Sequence, residues 1–231
     1  MHEYDTIAAV ITAQGIGAMG ALRISGPEAF AAAARVFRSK SGRSLARLGD
    51  YSLTFGHVYD GDELLDQALL LKMSGPKSYT GQDVAELQCH GGPLVLSRLL
   101  EAVIAAGARV AEPGEFSQRA FINGKLDLSQ AEAIMDLVSA SNRVSAAAAA
   151  DQLEGSLSRK IRELKDRLIG ILAEIEAEID FPDEELVPGG GEKANTLAVK
   201  VEELLGEIGN ILAEARYSRI YREGLRLVFY G

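Results

Sequence analysis

The stretch Asp83-Val84-Ala85-Glu86-Leu87-Gln88-Cys89-His90-Gly91-Gly92-Pro93 decides how the front of this chain folds. Residues 83–90 read as a strand, whose period of two puts Glu86, Gln88 and His90 on one face and Cys89 on the other. Gly91-Gly92-Pro93 then opens a helix, which ends at Gly107, where glycine suits a left-handed cap. Upstream, residues 6–12 and 21–25 read as short strands. Ser25-Gly26-Pro27-Glu28 resembles a helix start, with Ser25 as cap and the helix running to about Phe37. The basic, serine-rich stretch 38–49 reads as an exposed loop. Residues 51–59 and 65–73 form two β-rich runs joined around Asp60-Gly61, a hairpin signal. Strands and helices mix without a regular βαβ rhythm, so the expected class is α+β.

After Asp127 the pattern turns helical. Ser129-Gln130-Ala131-Glu132 reads as a capping box before an alanine-rich helix. Leu157, Ile161, Leu164, Leu168, Ile171, Ile175 and Ile179 then recur at three- and four-residue spacing, as do Leu197, Val201, Leu204, Ile208, Ile211 and Ala215. Phe181-Pro182 and Gly189-Gly190-Gly191 break the pattern between them. Two long amphipathic helices so joined imply an antiparallel pair within a bundle, its stripes packed in a core. The tail, Leu225 to Gly231, reads as a strand that needs more chain to pair with. The expected division is an α+β domain over 1–125, a helical domain over 126–224, and the first strand of a further domain at 225–231.

Composition narrows the function classes. The 231 residues carry a net charge of −9, and 47% are hydrophobic. No apolar run approaches the roughly 18–20 residues of a membrane span, and no secretory signal opens the chain. One cysteine, Cys89, forms no internal disulfide. A cytoplasmic protein off the membrane is expected. Charge is −6 over residues 151–231 and −3 over 1–150, with no broad basic face for nucleic acid. Any nucleic acid is expected to be held by a partner or a further domain.

Gly15-Ile16-Gly17-Ala18-Met19-Gly20 matches GxGxxG, but a second strand follows instead of a helix, and 35–44 holds only basic and neutral residues. A dinucleotide site needs the helix and an acid about 20 residues on. A loop beside a ligand is the better reading. At Asn123-Gly124-Lys125-Leu126, Arg119 stands where a phosphate loop needs glycine and Leu126 where it needs Ser or Thr. No second His or Cys lies at zinc-ligand spacing, and Asp180, Asp183, Glu184 and Glu185 read as a solvated loop. No metal site and no catalytic residue is assigned. The polar face of Glu86, Gln88 and His90 could line a pocket for a planar polar ligand, or simply face solvent.

Several segments together resemble the bacterial family of tRNA modification GTPases acting on the wobble uridine, MnmE (TrmE). They are Asp5-Thr6-Ile7-Ala8-Ala9 with Leu22-Arg23-Ile24-Ser25-Gly26; Ser74-Gly75-Pro76-Lys77-Ser78-Tyr79-Thr80-Gly81; and Glu86 to Pro93. Further along come Pro113-Gly114-Glu115-Phe116-Ser117 with Arg119-Ala120-Phe121; Lys125-Leu126-Asp127-Leu128 with Gln130-Ala131-Glu132-Ala133; and Ile179 to Glu185. The first loop departs from the family's proline- and glycine-rich pattern at Ala13-Gln14 and Ala18-Met19.

The resemblance implies a folate-binding, homodimer-forming N-terminal domain followed by the first helices of a helical domain. The GTPase domain, with its GTP, potassium and magnesium, would follow Gly231. It also implies an FAD-dependent partner protein, tRNA held by the assembled complex, and a tetrahydrofolate derivative (5-formyl- or methylene-tetrahydrofolate) supplying the carbon added at ring position 5. Its folate contacts carry over to Arg23, Glu86 and Lys125. A carboxylate such as Glu86 can accept the side-by-side N–H and amino group of a pteridine. Arg23 or Lys125 could neutralise folate's anionic glutamate tail. A stand-alone folate-dependent aminomethyltransferase is the alternative, and a helical scaffold without ligand a third reading.

Overall fold

The computed structural model describes residues 5–180, 190–223 and 228–230, without the side chains of 190–194 and 216–223. The chain divides into two compact units, Met1–Leu126 and Asp127–Gly231. The class is α+β, as the sequence predicts.

Unit one is a seven-stranded sheet: β1 (Ile7–Val10), β2 (Gly17–Ser25), β3 (Phe37–Ser39), β4 (Ser52–Asp60), β5 (Glu63–Met73), β6 (Val84–Gly91) and β7 (Arg109–Val110). Their spatial order is β3-β4-β5-β6-β2-β1-β7. Every pair is antiparallel except β1 with β7. Helices α1 (Ala29–Val36) and α2 (Pro93–Ala105) contribute Ala29, Ala33, Leu99 and Val103 to the core, where they meet Leu22, Ile24, Val58, Leu70 and Leu87 from the strands. Strand alternation therefore sends Leu22, Ile24, Ala85 and Leu87 into that core and leaves Arg23 and Glu86 on the opposite face. A short helix, α3 (Glu115–Ile122), follows β7.

Two expectations in this unit need correction. Ser25 does not cap α1; it ends β2 and is fully buried, with its hydroxyl 2.7 Å from that of Thr80. The Glu28 N–H at the start of α1 is met instead by the Thr6 hydroxyl, at 2.9 Å. Gly26 forces this arrangement. Its φ is +135°, and a Cβ there would stand 2.7 Å from the Asp5 carbonyl oxygen, so the chain turns tightly past β1. The stretch 38–49 is not simply a loop, because Ser39 still pairs with Gly56 and Leu45 is buried within a 3-10 turn, Leu45–Arg47.

Unit two holds α4 (Leu128–Ser139), α5 (Arg143–Leu153), α6 (Ser156–Asp180) and α7 (Gly190–Glu223). The capping box sits two residues upstream of the expected frame. Asp127 is extended, its carboxylate accepts the Gln130 N–H at 2.9 Å, and Gln130 returns the contact to the Asp127 N–H at 3.0 Å. Ser129 lies inside the helix and donates to Asp127.

Antiparallel α6 and α7 are joined by Arg167–Glu207 at 2.6 Å and Lys200–Glu174 at 2.7 Å. The stripes are mostly not core. Ile171 and Leu204 are buried, whereas Ile161, Leu168, Ile175, Ile179, Val201 and Ile208 are exposed. Two helices can bury only the seam between them, and a wider stripe needs further helices. Residues 181–189, which include Asp183, Glu184 and Glu185, lie outside the described residues, as do 224–227 and 231. Of the expected terminal strand, Val228–Tyr230 are described and are not in a strand. Among the described residues no helix is long and apolar enough to cross a membrane.

Leu87 is fully buried and faces Leu22 on β2 and Leu70 on β5. Leu87→Ala should destabilise unit one by about 2–5 kcal/mol through lost burial and a residual cavity. Urea unfolding followed by circular dichroism checks this, and a loss under about 1 kcal/mol would mean the site collapses freely.

Candidate functional site

Arg23 on β2 and Glu86 on β6 are direct cross-strand partners. The Arg23 Nε donates to Glu86 Oε1 at 2.7 Å, and both side chains are largely shielded. Two rings flank the guanidinium: Tyr79 at 4.6 Å and Phe116 at 5.4 Å from its central carbon. Such cation–π packing holds a guanidinium in place while leaving its edge free. Among the described residues, Glu86 Oε2 and the two terminal nitrogens of Arg23 have no hydrogen-bond partner, and none of them is sealed from solvent. The pair thus presents an open acceptor beside open donors, in a setting where a charged hydrogen bond counts for more than in water.

Tyr79 and Phe116 come from separate segments, and each is anchored. The Tyr79 hydroxyl lies 3.0 Å from that of Ser117 on α3. Thr80, next in the chain, is fully buried against Ser25, and Asn123 donates to its carbonyl at 2.7 Å.

Beneath α3 runs a charge network. Arg109 donates to Asp5 (2.6 Å) and through both terminal nitrogens to Glu115 (2.6 and 2.9 Å). Arg119 donates to Asp5 (2.7 Å), Glu115 (2.9 Å) and Gln82 (3.0 Å). Glu115 and Arg119 are buried. Hydrogen bonds from Arg109, outweighing the opposing effect of burial, pull the Glu115 carboxyl down to about 2. For Asp5 the largest single effect is burial, which raises its value, but the bonds from Arg109 and Arg119 together hold it below the ordinary range.

Of the three residues singled out from sequence, the structure brings Arg23 and Glu86 into contact, and Lys125 forms no hydrogen bond or ion pair with either. Lys125 follows α3 on the surface, and its ammonium makes no ion pair or hydrogen bond among the described residues. Its stem lies against the loop at Gly81, where an added Cβ would meet the Lys125 Cγ at 3.3 Å, two residues after Tyr79.

Gln88 is half-buried, and His90 is exposed with Nδ1 2.8 Å from Asp66. Cys89 is buried, and burial pushes its thiol up to about 11, so it carries no reactive thiolate at neutral pH. No group of acidic, His and Cys side chains that could hold a metal occurs among the described residues. Sequence reading missed Tyr79, Phe116 and the whole Asp5–Arg109–Glu115–Arg119 network. The only available signal was aromatic residues close to Gly and Pro, Tyr79 in a loop and Phe116 in the first turn of α3, and nothing in spacing joins the two segments in space.

Comparison with known proteins identifies both parts of the chain. Residues 6–125 match the family model "GTP-binding protein TrmE N-terminus", and residues 128–226 match "MnmE helical domain". The chain belongs to the MnmE (TrmE) family. Proteins described as tRNA modification GTPase MnmE are similar throughout: 48% identity over 228 residues in Symbiobacterium thermophilum, and 44% over 227 in Clostridioides difficile. Each alignment covers 98% of this chain and 49% of the relative. One from Acetivibrio thermocellus is 43% identical over 233 residues, covering all of this chain and 50% of its own length. The chain therefore spans about half the length of the curated relatives it matches.

The network gives stability a definite pH dependence. Because the folded value of Glu115 lies below its ordinary 4.5, its contribution is complete above that pH and is lost as pH falls toward about 2; Asp5 acts in the same direction. Glu115→Gln should lower the thermal midpoint at neutral pH and flatten its decline over that acid window. Parallel midpoint-against-pH curves for variant and parent would contradict this.

Proposed function

We propose that this chain supplies the folate-binding, dimer-forming part of a protein that modifies tRNA, with the Arg23–Glu86 pair as its pteridine-recognising centre. The observation that carries the reading is that pair, held between Tyr79 and Phe116 with Glu86 Oε2 open. The residues fit such a ligand. A carboxylate accepts from adjacent ring N–H and amino groups, and the open edge of the guanidinium donates to a ring carbonyl. Since Arg23 already braces Glu86, the cation left for the anionic glutamate tail is Lys125. Bound tetrahydrofolate would bring the one-carbon unit. The chain's own residues bind and orient it, and the shielding of the pair strengthens each charged contact.

Self-association fits the exposed apolar residues at one end of the sheet: Ile16 and Met19 around the start of β2, and Leu94 just after β6. Most dimers are two-fold symmetric, so one such patch would meet itself. GTP hydrolysis and the tRNA substrate belong to the reading of the whole protein, which the relatives' description as tRNA modification GTPases supports; the flavoprotein partner rests on the family resemblance alone.

Titrating 5-formyl-tetrahydrofolate by calorimetry tests the site. Glu86→Ala breaks a shielded charged pair, a loss of about 2–5 kcal/mol, so affinity should fall roughly 30-fold or more while the dimer persists. Glu86→Gln should recover little, because its amide N–H faces a ligand donor. Lys125→Ala should lose only about 0–1 kcal/mol, as expected for a solvent-exposed ion pair. Parent-like binding by Glu86→Ala would end the reading. Residues 1–231 hold no complete phosphate-loop motif and should not bind GTP at micromolar concentration; calorimetric heat at that level would contradict this.

A further inference from the structure

The sheet ends, on the side away from β7, in a basic strip that the folate reading does not use. Between Glu28 and Asp50 the sequence holds no acid, only the bases Arg35, Arg38, Lys40, Arg43 and Arg47. The last four are all exposed. Arg38 makes a long ion pair of 3.4 Å with a fully exposed Asp62, while Lys40, Arg43 and Arg47 make no ion pair among the described residues.

The bases are interleaved with rings. The Arg38 guanidinium lies 4.2 Å from the centre of the Tyr59 ring, and the Lys40 ammonium 5.7 Å from that of Phe55. Phe55 is itself 40% exposed and packs at a tilt against His57, its ring centre 6.0 Å away. Arg38 pairs with His57 in register, and the Lys40 N–H bonds the Phe55 carbonyl, so bases and rings share the outer edge of the sheet.

We infer that this edge, Arg38, Lys40, Arg43 and Arg47 with Phe55 and Tyr59, is a contact surface for unpaired RNA. Phosphates seek Lys and Arg, whereas unstacked bases seek aromatic and guanidinium faces, and this strip alternates the two. Guarding a sheet edge against aggregation explains charges on β3, but not those at Arg43 and Arg47, which lie beyond the strand. A lipid surface fits poorly, because the two leucines of the stretch point inward: Leu45 is buried and Leu48 packs on the core. The remaining chain is acidic, so a polyanion is steered to this edge and repelled elsewhere. The inference rests on the tRNA half of the proposed function and is independent of the folate half.

The test uses residues 1–231 and a fluorescein-labelled anticodon stem-loop RNA, with anisotropy followed against salt. A triple variant, Lys40→Ala with Arg43→Ala and Arg47→Ala, should retain the parent's thermal midpoint and its folate affinity. It should bind the stem-loop about ten-fold more weakly at about 50 mM salt, with the slope of log affinity against log salt reduced by about 2. Phe55→Ala should weaken binding by about ten-fold with no change of slope, since a stacking contact releases no counterions.

Unchanged affinity and slope in the triple variant overturns the inference while leaving the folate site untouched. So does a parent that fails to bind the stem-loop below about 100 µM at low salt. Tighter binding of phosphatidylserine vesicles than of RNA, lost in the same triple variant, assigns the strip to membranes and overturns it as well. Triple-variant loss of RNA in a protein that never bound folate supports the strip and ends only the folate reading.

Discussion

The front unit is tied together by one partly buried arrangement of charge. Asp5, ahead of β1, and Glu115 on α3 are two carboxylates that each accept from two guanidiniums, Arg109 on β7 and Arg119 on α3. Removing Glu115 would leave the buried Arg119 and its neighbour Arg109 to share the single carboxylate of Asp5, an excess of charge at a shielded place. Through Gln82 the same network reaches the loop that carries Tyr79, and through α3 it fixes Phe116. The two rings that hold Arg23 against Glu86 are thus placed by ion pairs they do not themselves contact.

Placing a charged pair in the middle of a sheet has a distinct physical logic. Arg23 and Glu86 sit on neighbouring strands whose alternate residues, Leu22, Ile24, Ala85 and Leu87, are locked in the core beneath. Their backbone positions are therefore as rigid as the core itself, and the rings limit the remaining freedom of the arginine. Lys125 stands outside this rigidity, on the surface beyond α3, where a long cation keeps its rotamer freedom.

What was legible in the sequence followed from local chemistry. The β4–β5 hairpin turned where Gly61 allowed a positive φ, and α2 began at Pro93 and stopped before Gly107. What misled was also local. Ser25 and Ser129 carry cap-forming side chains, but Ser25 is claimed by Thr80, distant in sequence, and Asp127 displaced Ser129 as the cap. The stripes of α6 and α7 were read correctly as helical and wrongly as core, since periodicity reports which face is apolar and not whether anything lies against it. Of the site, the polar face of β6 could be read from alternation. The partnership of Arg23 with Glu86 needed the register between β2 and β6, which no local rule supplies.

The parallel pairing of β1 with β7 also bears on how the chain acquires its shape. Ile7 meets Arg109 and Ala8 meets Val110, so one of the first strands to be synthesised has an unfilled side until the last arrives. On a ribosome adding about 5–20 residues per second, β1 can zip to β2 early yet must wait several seconds for its other neighbour. During that interval an apolar strand edge is open to solvent and to other nascent chains. Pairings so distant along the chain also slow folding, because loop-closure entropy is spent before contacts repay it. The unit therefore closes late and cooperatively, and interruption of synthesis just short of β7 would leave a species prone to pair with the wrong edge.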